Sequence, residues 1–334
     1  KIFTETKDDE IRYHAGVVLG SIPKEQLQSE EITLDYEPLI NHSQASMHSM
    51  GRFLANHLGA DVSSIAVQPP EDANWKVGPE YFTMRKIDAG EYPFWEFPRN
   101  RDEKRVGKVV VDVWFAMQPV TRRLYKKFLD DPAPLADGKT ERVAYRPEGR
   151  MPSELQGDLD YPITNFDLRH AVSFCNWLSK QDGLEPVYSY DADRDKLQED
   201  GFYHNPWKPN LKINGYRLPT YDEYNVAVRT TYSDGIPWNH VLPIGLAGGD
   251  YATYSGNPYP RKIFSLIPNR WGLFINDPIC GAWLTGTDKG EFIRTSLHVG
   301  AAPYVRYIPN SVLRLGPLES IYVVQNRNVL SAEK

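Results

Sequence analysis

The sequence predicts a loop-rich globular domain of short strands and helices rather than a helical bundle. Composition carries much of this. The 334 residues include 26 prolines and 24 glycines, with 8 Trp, 20 Tyr and 13 Phe, the mark of irregular backbone pinned by aromatic side chains. Hydrophobic residues at 41% and charged residues at 25% are ordinary for a soluble chain of one large domain or two small ones, able to bury a sizeable core. The third observation is the spacing of apolar residues, which changes repeatedly between helical and alternating periods along the chain.

A net charge of -6 argues against a nucleic-acid partner, because phosphate binding needs a concentrated basic face. The basic cluster Arg99, Arg101, Lys104, Arg105 and Lys108 is interleaved with acids and reads as a solvated loop. No apolar run approaches the roughly 20 residues of a transmembrane helix. The longest, Val109 to Met117, is interrupted by Asp112 and reads as a buried strand. Two cysteines, Cys175 and Cys280, are too few for a disulfide scaffold or a four-thiolate zinc site; they form one disulfide or remain two buried thiols. The chain starts at Lys1 rather than Met, as a processed, exported (periplasmic or cell-surface) protein or a trimmed chain would.

Residues 1–78 form an N-terminal extension without a recognisable motif. Gly16 to Leu19 reads as a short apolar strand. Asn41 to Leu58 reads as a helix, with Met47, Met50, Leu54 and Leu58 as its stripe. His42, His48 and His57 do not fall at the i, i+4 spacing of paired helical metal ligands. The run Gln68 to Asp72 is polar and proline-rich, and reads as a linker.

From residue 79 the elements follow closely. Tyr81 to Tyr92 is an alternating strand running into a glycine turn, and Val109 to Phe115 alternates as a half-buried strand. Leu124, Tyr125 and Phe128 define the inner face of a helix after Thr121. Residues 130–160 read as a long surface loop. Ala171, Phe174, Cys175 and Leu178 mark a second helix, capped by Thr164 or Asn165, with Cys175 as a small core residue. Asn214 to Arg217 closes an extended segment at Pro219. Thr220 with Glu223 three residues on then forms a capping box at the head of a third helix carrying Tyr224, Ala227 and Val228.

Read together, Gly215-Tyr216-Arg217-Leu218-Pro219-Thr220 with Glu223 resembles the central signature of the formylglycine-generating enzyme, or sulfatase-modifying factor, family. Other landmarks stand in order around it. They are the turn at Ala89-Gly90-Glu91-Tyr92, Pro119-Val120-Thr121, Cys175-Asn176-Trp177-Leu178-Ser179 and Gly183 to Tyr188. Ile236-Pro237-Trp238-Asn239 and Pro268-Asn269-Arg270-Trp271-Gly272-Leu273-Phe274 follow. The resemblance implies an α+β fold of C-type-lectin-like type, with the family domain over residues 79–328.

The same resemblance locates where chemistry should be. The family's Gly-Asn-x-Trp-Glu-Trp segment, which supplies calcium ligands, corresponds to Cys280-Gly281-Ala282-Trp283-Leu284-Thr285. Gly281 and Leu284 replace two oxygen donors, so the calcium site is expected to be lost. The copper-dependent members bind Cu(I) with two C-terminal cysteines. Between Phe292 and Lys334 there is none, and no cofactor is expected. The closing strand, Ser320 to Val324, keeps its apolar pattern without the family's Gly and Arg. The 78-residue leader is too short for the four-helix iron-binding domain of other branches. Arg294, His298, Tyr304 and Arg306 fall in the segment that lines the cleft of catalytic relatives. With Trp283 they form a candidate site for an anionic or sugar-like ligand.

The Gly-rich run Gly245 to Asp250 lacks the Lys-Ser/Thr of a phosphate loop, and no serine or cysteine stands in a nucleophile-elbow pattern. Asn41-His42-Ser43 is a formal glycosylation sequon. Three functions follow: a catalytically silent structural or binding subunit of a larger, exported assembly with other protein subunits as partners; a divergent metal-dependent oxidoreductase acting on a peptide or small amine; and a carbohydrate- or small-ligand-binding module.

Overall fold

The computed structural model describes residues 6–29, 36–62, 65–96, 103–133, 135, 138, 157–163, 168–194, 206–229, 261–274, 282–285, 292–295, 306–307 and 323–326. The chain opens with helix α1 (Asp9–Ser21), whose N-cap Asp8 accepts the amides of Glu10 and Ile11 at 2.8 and 3.3 Å. Gly16 to Leu19, expected as a strand, is therefore helical. Four apolar residues are too few to separate the two periods, and the cap lies upstream of them. Next come α2 (Lys24–Ser29), α3 (Glu37–Ile40) and α4 (Ala45–His57). In α4, Met47, Met50 and Leu54 are buried on the expected stripe, and Leu58 caps its C-terminus half-buried. Gly16 lets α1 lie close on α4, since a Cβ there would stand 2.6 Å from Met50.

These helices share a core with residues 261–274. Tyr13, Val17, Ile40, Met50 and Phe53 pack with Ile263, Phe264 and Phe274. Three side chains fasten the contact. Tyr13 donates to the Pro268 carbonyl at 2.7 Å, Ser49 to Gly272 at 2.6 Å and Asn56 to Phe264 at 3.1 Å. The run Gln68 to Asp72 is coil and turn, tied back where the Gln68 amide donates to Asn41.

The strands are β1 (Trp75–Val77), β2 (Thr83–Ile87), β3 (Gly90–Glu96), β4 (Glu103–Val109) and β5 (Val113–Ala116). After α5 (Arg122–Asp130) and α6 (Leu168–Gln181) come β6 (Tyr188–Tyr190), β7 (Trp207–Pro209) and β8 (Tyr216–Arg217). Helix α7 (Tyr221–Arg229) precedes β9 (Ala282–Thr285), β10 (Phe292–Thr295), β11 (Arg306–Tyr307) and β12 (Val324–Asn326). A five-stranded antiparallel sheet runs in the order β1-β2-β5-β12-β8, and a separate three-stranded one in the order β11-β10-β9. The closing strand is seen as β12, starting at the last residue of the expected segment; Ser320 to Tyr322 lie outside the described residues.

Two expectations change here. Val109 to Phe115 is not one strand, because β4 ends at Val109 and β5 begins at Val113. Asp112 accepts the Ala89 amide at 2.9 Å and closes the turn, leaving Val110 exposed. Lys104, Arg105 and Lys108, expected on a loop, lie on β4, paired to β3 from Gly90↔Val109 to Glu96↔Glu103. Arg99 and Arg101 lie outside the described residues, as do 139–156 of the expected long loop and the capping positions Thr164 and Asn165.

The helices on the sheet follow their sequence signals. Thr121 caps α5 by accepting the Leu124 amide at 3.2 Å, and Leu124, Tyr125 and Phe128 are buried. Phe128 meets Phe174 of α6 edge-on at 5.7 Å. Ala171, Phe174, Cys175 and Leu178 are buried in the same core. Asn176 uses its amide twice on Tyr188, donating to its carbonyl at 2.7 Å and accepting its amide at 3.0 Å, which fixes β6 against α6.

The Pro268 to Phe274 turn has an equally local cause. Asn269 accepts the amides of Trp271 and Leu273 at 3.0 and 2.9 Å, and Gly272 sits at φ +83°. A Cβ on Gly272 would stand 2.5 Å from the Ala45 carbonyl oxygen. The substitution Gly272→Ala therefore combines left-handed backbone strain with a clash at the start of α4. It should lower unfolding stability in urea by about 1–3 kcal/mol. An unchanged midpoint would mean that the turn and α4 do not hold each other.

Candidate functional site

The Gly215 to Glu223 stretch is a buried polar joint. Arg217 and Glu223 form a two-pronged ion pair, Nη1 to Oε2 at 2.7 Å and Nη2 to Oε1 at 2.6 Å. Arg217 also donates from Nε and Nη2 to Oδ1 of Asn326 at 3.0 and 2.8 Å, and from Nη1 to the Leu218 carbonyl at 3.1 Å. All five guanidinium N–H groups thus have an acceptor. Asn326 in turn donates to the carbonyls of Leu211 and Ile213 at 2.6 and 3.0 Å.

Glu223 and Thr220 make the reciprocal capping box, amide to Oε2 at 2.8 Å and amide to Oγ1 at 3.2 Å. Tyr216 donates from its amide to Ser179 and from its hydroxyl to Asp182, and the Leu218 amide donates to the Tyr188 hydroxyl. Gly215 stands where a Cβ would overlap the Glu185 carbonyl, and Pro219 is buried. Burial alone would raise the Glu223 pKa. The Arg217 charge and the hydrogen bonds from Arg217 and Thr220 outweigh it, and the carboxyl is held below its ordinary value of 4.5.

The ligand candidates are distributed differently. Trp283 is on β9, Arg294 on β10 and Arg306 on β11, and the pairing is Arg294↔Trp283 and Arg294↔Arg306. The three therefore stand in one row across the three-stranded sheet, with Arg294 in the middle. His298 and Tyr304 lie outside the described residues. Strand β9 lies beside α7, the helix that Thr220 and Glu223 cap.

The remaining polar candidates fit a metal poorly. Cys175 is a free, fully buried thiol on the core side of α6, and burial pushes its pKa up, away from the thiolate that Cu(I) requires. Cys280 and Gly281 are outside the described residues, and position 284 carries a leucine. His48 donates from Nδ1 to the Ile40 carbonyl at 2.5 Å and stacks on Trp75 at 3.7 Å. Burial, followed by the nearby Arg52 charge, lowers its pKa to about 3, so it is neutral. His57 engages the Ile22 carbonyl at 2.8 Å, and His42 lies 3.4 Å from Asp9. Among the described residues, no three His, Cys, Asp or Glu side chains gather as metal ligands, and no helix is long and apolar enough to cross a membrane.

Asn326 was not legible from its spacing. The one available signal was an amide closing an apolar strand, Val323-Val324-Gln325-Asn326, where a buried polar group needs partners.

Fold and landmarks together define a formylglycine-generating-enzyme-type domain. The family model described as "Sulfatase-modifying factor enzyme 1-like domain" matches residues 81–274, more than half of the chain, and the chain belongs to this family. The fold is the C-type-lectin-like type of α+β domain. Among solved structures, Treponema denticola variable protein 1 aligns with a TM-score of 0.51 at 17% identity, covering 75% of this chain and 98% of that one. CarF aligns at 0.43 and 16% identity (73% and 99% covered), and PvdO from Pseudomonas aeruginosa at 0.42 and 14% (74% and 95%). No curated protein matches.

Glu223 in the joint and His48 on α4 set the acid stability. The contribution of Glu223 is complete above pH 4.5 and is lost as pH falls through its lowered folded-state pKa. That of neutral His48 is complete above pH 6.5 and is lost between there and about 3. Urea midpoints should therefore fall in two stages on acidification, and His48→Phe should flatten the upper one. Glu223→Gln should cost about 3–5 kcal/mol at neutral pH by stranding Arg217. A cost within measurement error would remove the joint from its central place.

Proposed function

We propose that this chain is a catalytically silent member of its family, acting as a structural or binding subunit of a larger, exported assembly. The observation that carries the reading is the contrast between two sets of residues. The framework set, from Arg217 and Glu223 to Asn326, is complete. The segment from Phe292 to Lys334, where the copper enzymes carry their two thiolates, has no cysteine. Without paired soft ligands the oxygen-activating step has no centre on which to run.

The row Trp283–Arg294–Arg306 is the proposed contact surface. Residues directly opposite one another on antiparallel strands share a face of the sheet. Two arginines and a tryptophan in register across one face have the residue types to hold an anionic or sugar-like group by charge-assisted hydrogen bonds and stacking. His298 and Tyr304, close in sequence to β10 and β11, would complete it.

Native mass spectrometry and elemental analysis on protein from its natural source test the reading together. The expected result is a chain without stoichiometric copper or iron that runs within a larger complex. Stoichiometric copper or iron would favour the oxidoreductase reading, and a monodisperse monomer would sink the subunit reading. In a glycan and metabolite screen, Trp283→Ala should abolish any hit that belongs to the row; a hit that survives it belongs elsewhere.

A further inference from the structure

A second site, independent of the sheet row, lies where the N-terminal helices meet the family domain. A cavity of about 340 Å³ opens between α4, the segment 65–67, the Pro119-Val120-Thr121 turn and Phe264. That volume falls in the range of small-molecule pockets. Phe82, Val120, Leu124 and Phe264 provide apolar walls.

The polar lining is unevenly satisfied. Glu80 is paired with Lys127, and Asp160 with Arg123 at 2.8 Å and Lys262 at 3.3 Å. Arg52 has no such carboxylate among the described residues. It is only 6% exposed, its Nε and Nη1 have no acceptor, and its charge rests over the Phe264 ring at 4.0 Å. Gln118, 8% exposed on the same lining, has an Oε1 without a donor. Burial lowers the Arg52 pKa to about 10, which leaves it cationic at neutral pH. A buried guanidinium with free donors is costly unless an anion completes it, and a planar carboxylate matches two of its N–H groups at once.

We propose that this cavity binds a small organic carboxylate with an apolar body. The acid group pairs with Arg52, the body lies between Phe82, Leu124 and Phe264, and a hydroxyl or amine on the ligand donates to Gln118. The volume excludes a polymer, and the apolar walls disfavour an inorganic anion.

Titration calorimetry on the full chain tests this with benzoate, phenyllactate and hexanoate as probes, and benzamide and inorganic phosphate as controls. At least one carboxylate should bind at millimolar concentration or below. Benzamide and phosphate should each bind about tenfold more weakly or not at all, as expected for loss of a charge-assisted pair or of the apolar body. Arg52→Gln should weaken the carboxylate by a similar factor. Because that variant also removes the packing of Arg52 on Phe264, Ala66→Trp, at an exposed residue of the cavity lining, gives a second reading by blocking entry with the core intact. Failure of every carboxylate to bind, equal binding of benzamide or phosphate, or full affinity in both variants would overturn the proposal. Arg52 would then be a packing residue on Phe264.

Discussion

The buried Arg217–Glu223 pair is the constraint on which the rest of the structure depends. Removing two charges from water costs several kcal/mol per ion, and their attraction offsets this only if every remaining donor is met. Here every donor is met, but by groups from separate parts of the chain. The Leu218 carbonyl comes from the motif itself, Glu223 from the first turn of α7 and Asn326 from β12. Asn326 then holds the carbonyls of Leu211 and Ile213. A polar network of this kind stabilises little compared with an apolar replacement, yet it tolerates one arrangement only. It fixes the order β12-β8 at the edge of the sheet and the direction in which α7 leaves it.

The second constraint is that the N-terminal helices do not form a core of their own. Their apolar faces are completed by Ile263, Phe264, Ile267 and Phe274. Phe264 and Phe274 meet edge-on at 5.0 Å, and the Phe274 amide donates to the Met117 carbonyl, two residues before the Pro-Val-Thr unit. The Asn269 to Leu273 turn therefore serves two neighbours at once: it presents Gly272 to α4 and leads Phe274 to Met117, the residue after β5. The cavity beneath Arg52 is a consequence of this docking, since its walls come from both sides of the contact.

What was legible in the sequence was local. Thr220 with Glu223 announced a helix start because a capping box is written within four residues. The stripe around Cys175 announced a buried face because periodicity needs only one helix. The failures also have physical causes. Gly16 to Leu19 is a run too short to show a period. Val110 and Val111 read as core, but Asp112 uses its carboxylate on the Ala89 amide and turns the chain, leaving both exposed. Arg52 and Asn326 are invisible for another reason. Each is a polar residue in an apolar context, and its partner, or the lack of one, is settled by residues far away in the chain. The row across β9, β10 and β11 was partly legible: the residue types were singled out in sequence, but their register comes from strand pairing.

These constraints bear on how such a domain can vary its chemistry and keep its frame. The network centred on Arg217 lies within the five-stranded sheet and the first turn of α7. The candidate row lies on a separate three-stranded sheet, joined to that frame where β9 runs beside α7. The Thr220–Glu223 box sets the start of α7, and α7 in turn supports the strand that carries Trp283. Substitution of Gly281 or Leu284, or absence of cysteine after Phe292, leaves every partner of Arg217 in place. The frame can therefore persist while the residues on the three-stranded sheet change their chemistry, because no described hydrogen bond of the Arg217 network comes from β9, β10 or β11. The frame and the candidate row meet at the α7–β9 contact.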